Sequence, residues 1–383
     1  MSIYLDYNAS APINPEVLDV MIDVYKNHSG NADSRTHDYG EQARNIVETA
    51  RKQVASLLGI NTSEVFFTSG ATESNNIAIQ GLQEYALQTG KKHIITSSIE
   101  HKAVLETVKA MRDRGFEIDI VDPEPSGRLD VHKILGKLKS TTLLVSIMHV
   151  NNETGVIQPI LELGEELEHR NVLFHVDATQ SCGKLVDEIR HAKYNMLSFS
   201  AHKLQGPQGV GVLVMRKNNY KLPPVKAIMY GGQQERGIRP GTIPVALVAG
   251  CGKACELAEL NYTDNRKKLY EIKTLLLRLL ASSGIQYSIN GDSVNTLENT
   301  LNICFHGVSS EALMIATKNF CGISNGSACT SKSYSPSYVL IAMGIPEEQV
   351  ENSVRISWGP ETSPAELEDE FEKLLMVAKN LAM

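Results

Sequence analysis

An α/β architecture, a mostly parallel sheet covered by helices and followed by a smaller α+β unit, is predicted by three features of the 383-residue sequence. Short β-branched and apolar runs alternate with helical patterns between residue 65 and about residue 200. Two further apolar runs come with less helix between them. A long helical stretch then leads into a second, shorter succession of strand and helix.

The runs "VFFTS", "HIITSS", "EIDIVD", "TLLVSIMHV" and "VLFHVDA" read as strands, because β-branched and aromatic side chains suit a pleated, buried surface. Between them, "SNNIAIQGLQEYAL", "AVLETVKAMRDR", "VHKILGKL" and "ILELGEELEH" read as helices, with apolar residues recurring three and four apart. Such alternation is the pattern of parallel strands joined by helical crossovers. "NMLSFSA" and "GVGVLVM" extend the sheet, and the α/β region ends near Gly241. From "PVALVAGCGKACELAEL" through "KKLYEIKTLLLRLLASS" the pattern is helical, with a break expected at "NYTDN". The remainder reads as strand "LNICF", helix "SEALMIATK", a loop with Cys329, strand "VRISWG" and helix "PAELEDEFEKLLMVAKNLA". The expected division is a large domain over residues 1–260, with the N-terminal segment, and a small domain over 261–383 that carries the Cys329 loop.

A chain with 42% hydrophobic and 21% charged residues has the composition of an ordinary globular protein. Its net charge of −7, with no long run of Lys or Arg, argues against a direct nucleic-acid or membrane surface. The start "MSIYLDYNASAP" lacks a signal-peptide pattern and no stretch is apolar for the length of a bilayer, so the sequence reads as cytoplasmic. Six scattered cysteines form no disulfide framework and no metal-ligand spacing, and "CGKAC" reads as one face of a helix.

Ligands of open α/β sheets sit outside the carboxyl ends of the strands. After "VFFT" comes "SGATESNN", a glycine turn opening a helix whose free N–H groups suit a phosphate, with Thr72 adding a hydroxyl. His101 follows "HIITSS", "NNETG" follows "SIMHV", Asp177 ends "VLFHVD", and Lys203 follows "NMLSFS". Singly, each has a plain structural reading: His101 caps a helix, Asp177 is a satisfied strand-end acid, Lys203 is solvated. Together they are the set that binds pyridoxal 5′-phosphate: a lysine for the aldehyde, an aspartate for the pyridine nitrogen, a stacking ring and a helix start for the phosphate.

The motifs "YLDYNASAP", "FTSGATESNN", "SIEHKAV", "HVNNETGVIQP", "HVDATQSCGK", "SFSAHKLQGPQGVGVL", "GGQQERGIRPGTIPV", "SNGSACTS" and "VRISWG" run essentially end to end. In order and spacing they resemble the NifS/IscS-type cysteine desulfurases, fold-type I pyridoxal phosphate enzymes of the class V aminotransferase group. The resemblance implies Lys203 as the Schiff-base lysine, Asp177 as partner of the ring nitrogen and His101 as the stacking acid or base. It implies Gln180 and Asn152 near the ring hydroxyl or substrate, and Ala71, Thr72, Ser200 and His202 around the phosphate. Thr242 would reach the phosphate from a second subunit, which makes a homodimer the expected unit. Arg355 would take the carboxylate of L-cysteine. Cys329 would attack the substrate sulfur, leaving a persulfide and L-alanine.

The resemblance also implies a sulfur-acceptor protein. "GNADSRTHDYG" is similar to the DndA-like desulfurases of DNA phosphorothioation, and the ending "LLMVAKNLAM" lacks the tail that docks an iron–sulfur scaffold in housekeeping relatives. Acceptors for iron–sulfur assembly or tRNA thiolation stay open. Asn325, Thr154, Gln205 and Gln208 depart from the residues common in the family, and none removes a catalytic group. The rival readings are a selenocysteine lyase or aminotransferase on the same fold, and a non-catalytic sulfur-transfer subunit.

Overall fold

The computed structural model describes residues 2–326 and 336–382. The chain begins with a two-residue strand, β1 (Ile3–Tyr4), and two helices, Pro15–Asn27 and Asp38–Leu58. Pro15 at the first turn and the Asn14 side chain, which accepts from the Glu16 N–H, start the first helix; His37 and a left-handed Gly59 bound the second.

Seven strands then build the central sheet: β2 (Val65–Thr68), β3 (His93–Ser97), β4 (Glu117–Val121), β5 (Thr142–Met148), β6 (Leu173–Asp177), β7 (Met196–Ser200) and β8 (Gly211–Met215). Their order is β2-β8-β7-β6-β5-β3-β4. β4, β3, β5, β6 and β7 pair in parallel, while β8 runs antiparallel to both β7 and β2. Helices on both faces bury the inner strands, so these read as unbroken apolar runs, whereas edge strand β4 fully buries only Val121 of its five residues.

The helical stretch expected to break at "NYTDN" is one continuous helix, Val245–Ser282. Asn, Thr and Asp cost a helix only about 0.7 kcal/mol each. Local bonds offset part of that: Asn261 Nδ2 donates to the Leu257 carbonyl at 2.9 Å, and Lys267 pairs with Asp264. Buried Cys251 and Cys255 on one side of the segment, and Leu269, Ile272 and Leu276 on the other, anchor the helix in two separate cores.

The second core surrounds a three-stranded antiparallel sheet of β9 (Tyr287–Ile289), β10 (Thr300–Phe305) and β12 (Ser353–Ser357), in the order β12-β10-β9. The C-terminal helix Pro364–Leu381 buries Leu367, Phe371 and Leu374 against it. Ile3 and Leu5 belong to this core as well, and β1 pairs in parallel with β11 (Cys321–Gly322). The first residues of the chain thus cross to its far end. No helix is long and apolar enough to cross a membrane among the described residues.

Candidate active site

The carboxyl ends of β2, β3, β5, β6 and β7 open on one cavity of about 230 Å³. Ala71, Thr72, His101, Asn152, Asp177, Gln180, Ser200, His202, Lys203 and Arg355 all line it. Thr242 lies in an exposed position and does not line this cavity; Cys329 lies outside the described residues. A second cavity, about 260 Å³, adjoins the other side of Lys203 along the long helix, but Asp177, His101 and Ala71 are absent from its lining.

Asp177 ends β6 directly opposite Met148 and Ser198, so the sheet register fixes where its carboxylate stands. Asn75 Nδ2 donates to Oδ2 at 2.7 Å, and the Thr179 N–H and hydroxyl donate to Oδ1 at 3.0 and 2.5 Å. Three donors hold this buried carboxylate in one orientation. The sequence reading gave Asn75 no role. The signal was present: Asn75 lies four residues after Ala71, on the face of the helix that follows the glycine turn.

That helix, Ala71–Gln80, starts at Gly70 with no side-chain cap. Ser200 Oγ, at the end of β7, accepts the Ala71 N–H at 2.7 Å. Gly211 lets β8 approach this turn closely, since a Cβ there would fall 2.5 Å from Gly70 Cα. The free N–H groups of a helix start, beside the hydroxyls of Ser200 and Thr72, form an anion cradle.

Lys203 closes the short 3₁₀ turn after β7, and its Nζ donates to the Asn8 and Ala9 carbonyls at 2.5 and 2.7 Å. Asn8, also without a role in the sequence reading, joins the two ends of the molecule here. Its Nδ2 donates to the Asn152 carbonyl and to Thr300 Oγ1, and its carbonyl takes Gln180 Nε2. His202 is neutral, its pKa pushed down to about 4 by burial and then by the charge on Lys203. Burial likewise lowers the pKa of His101, against the pull of Asp177. His101 does cap a helix: its Nδ1 accepts the Ala103 N–H at 3.1 Å. That bond places the proton of the neutral ring on Nε2. The structural and the chemical reading of His101 therefore coexist.

Arg355, in the middle of β12, is buried at the cavity wall. Nη1 donates to the Asn152 carbonyl at 2.9 Å and Nη2 to Asp6 Oδ1 at 2.5 Å, while Nε has no partner among the described residues. Asn152 Oδ1 and Gln180 Oε1 are also buried without partners among the described residues. Orphaned polar atoms of this kind mark a place where a polar ligand completes the hydrogen bonding. The orphaned Asn152 and Gln180 oxygens, a buried aspartate, a helix start and an amine fit pyridoxal phosphate.

The five described cysteines, Cys182, Cys251, Cys255, Cys304 and Cys321, are buried. Burial raises the pKa of Cys182 and Cys304 and pushes that of Cys321 to about 12; a hydrogen bond with Cys251, together with burial, raises that of Cys255. Such thiols are poor nucleophiles. Among the described residues, no group of three or more His, Cys, Asp or Glu side chains is placed to hold a metal ion.

The aminotransferase class-V family model matches residues 3–369. The cysteine desulfurase IscS of Vibrio cholerae serotype O1 (strain M66-2) is 42% identical over 388 residues, covering 100% of this chain and 94% of the relative. Among solved structures, a NifS-like protein superposes with a TM-score of 0.91 at 33% identity, over 99% of this chain and 100% of its own. DndA from Streptomyces lividans superposes with a TM-score of 0.81 at 42% identity, over 93% and 99%. Similarity of this extent, along the whole chain, means that the protein belongs to the aminotransferase class-V family and, within it, to the NifS/IscS-type cysteine desulfurases.

Proposed function

We propose that the cavity binds pyridoxal phosphate and L-cysteine, and that the chain moves the substrate sulfur to Cys329 as a persulfide and releases L-alanine. The observation that carries this reading is the single cavity into which Lys203, Asp177, His101, Arg355 and an uncapped helix start all open. When bound, pyridoxal phosphate supplies an electron sink for charge that develops at the substrate Cα.

This chain's residues do the rest. Lys203 Nζ holds the cofactor and later moves the proton at Cα. Asp177, oriented by Asn75 and Thr179, keeps the ring nitrogen protonated. Ser200, His202, Thr72 and the helix start at Ala71 would hold the phosphate, and Thr242 of a second copy in a homodimer would complete that cradle. Arg355 receives the substrate carboxylate, for which guanidinium is suited. His101, carrying its proton on Nε2, donates to the cofactor or to the sulfur, and stabilises a thiolate more readily than it creates one. The burial of the five described thiols supports the reading of Cys329 as the attacking cysteine. Lys203→Ala should bind no cofactor covalently and form no alanine; borohydride reduction that labels another lysine contradicts the assignment.

The acceptor we propose is a dedicated protein partner in DNA phosphorothioation, with the reaction in the cytoplasm. The likeness of "GNADSRTHDYG" to DndA-like desulfurases and the similarity to the DndA structure support it. A net charge of −7 fits a chain that leaves DNA to its partner. General supply to iron–sulfur assembly or tRNA thiolation is the second reading, favoured by the equal identity to IscS. Deleting the gene separates them: loss of DNA sulfur with iron–sulfur enzymes intact supports the first, the reverse the second.

A further inference from the structure

The two ends of the segment that carries Cys329 are anchored in different cores. Before it, Ser324 bridges to Arg355 of β12, with N–H to carbonyl bonds of 3.2 and 2.5 Å. After it, Ser337 caps the helix Tyr338–Ala342, whose Val339 and Leu340 are buried in the core of the large sheet. The Tyr338 hydroxyl donates to the Glu100 carbonyl at 2.8 Å, on the same side.

Glu153, from the turn after β5, touches both ends. Its Oε2 accepts the Ser337 hydroxyl at 2.5 Å. The same oxygen would be the first atom met by a Cβ at Gly326, where φ is +82°. Only glycine allows the backbone to pass the carboxyl group so closely. Glu153 is itself fixed: its N–H donates to Asn151 Oδ1 at 2.9 Å, and its carbonyl takes Asn302 Nδ2 at 3.3 Å. The adjacent Asn152 lines the cavity and its carbonyl binds Arg355.

A carboxyl group is a costly way to fill a buried site. Glu153 is 2% exposed, and the one hydrogen bond its side chain makes among the described residues goes to Ser337. For packing alone, leucine would serve as well. Its position explains it better: it is joined to the cavity wall through Asn152 and holds Gly326 and Ser337 at a set separation.

We infer that Glu153 is a positioning residue for sulfur transfer, fixing both ends of the Cys329-bearing segment relative to the substrate cavity. The inference rests on the reading that Cys329 accepts the sulfur. In that step the Cys329 thiolate bonds to the substrate sulfur while the carbon–sulfur bond breaks, its electron pair staying with the carbon skeleton that becomes alanine. Glu153 touches none of these atoms; it acts through where Cys329 is delivered.

The test uses the protein loaded with pyridoxal phosphate and three variants, Glu153→Leu, Glu153→Gln and Ser337→Ala. Two quantities are followed after mixing with L-cysteine: the absorbance change of substrate binding, and the arrival of sulfur on the Cys329 peptide by mass spectrometry. Glu153→Leu should keep the absorbance change and KM while sulfur arrival slows by about 100-fold, the scale of a misplacement of about 1 Å. Glu153→Gln, which still offers an oxygen to Ser337, should restore most of the rate. Ser337→Ala should slow arrival in the same selective way, and it decides the matter if Glu153→Leu does not fold. Wild-type arrival in the folded variants, or equal loss of binding and transfer, overturns the inference. Cys329→Ser serves as the control: sulfur transfer that survives it overturns the Cys329 reading itself, and this inference with it.

Discussion

At the scale of single residues, the site depends on how its charged groups are held. Asn75 is the clearest case, since its amide donates to the carboxylate that is to hold the ring nitrogen. Asn75→Ala removes a hydrogen bond to a charged group, worth about 1.5–3 kcal/mol, so kcat/KM for L-cysteine should fall about tenfold or more. Steady-state alanine formation checks this, and an unchanged value would leave Thr179 as sufficient support. That Lys203, Asp177 and His101 gather at one cavity was legible in the sequence because each ends or follows a strand of the sheet, whereas Arg355, in the middle of β12, was reached only through the family resemblance. Asn75, Asn8 and Glu153 were not assigned, although all three lie within motifs singled out for other residues. Their roles depend on partners far away in sequence: Asn8 meets Lys203, and Glu153 meets Ser337. No local pattern encodes such pairs.

At the scale of elements, close helix packing sets the position of the long helix Val245–Ser282. Gly252 is where it meets the helix Asp38–Leu58: a Cβ there would lie 2.5 Å from Ala50 Cα. Gly252→Ala tests this contact because two effects oppose. Alanine gains about 1 kcal/mol of helix propensity, whereas overpacking costs about 1–3 kcal/mol. The variant should therefore be net destabilised, with a lower denaturant midpoint; a raised midpoint would show that the helices can separate cheaply. The strands of the sheet were read correctly because buried β-branched runs have few alternatives. The break expected at "NYTDN" was not found, since weak local preferences there yield to burial on either side. The helices Pro15–Asn27 and Asp38–Leu58 received no assignment, and β8 being antiparallel follows from its short connection to β7 rather than from its composition.

At the scale of the whole molecule, folding brings residues 6–9, the strand ends and β12 around one cavity, so stability and activity share their groups. His175 in β6 lies fully buried between the hydroxyls of Ser146 and Ser198, at 2.8 and 2.9 Å, and burial pushes its pKa down to about 4 despite Asp177 nearby. The unfolded chain takes up this proton at a pH of about 6.5. Folding is therefore disfavoured progressively as pH falls from there to about 4, and the effect is absent above it. His175→Asn should flatten that part of the stability profile, as followed by urea unfolding at several pH values; an equally steep profile would assign the acid sensitivity elsewhere. The central claim, that the cavity serves to move sulfur from L-cysteine to Cys329, is tested most directly by one experiment. The protein loaded with pyridoxal phosphate is mixed with L-cysteine bearing isotopically labelled sulfur, and the products are digested and weighed. One labelled sulfur on the Cys329 peptide for each alanine formed, with Cys182, Cys251, Cys255, Cys304 and Cys321 unlabelled, is the expected result. Alanine formed at the same rate by Cys329→Ser, or label on one of the buried cysteines instead, would contradict it.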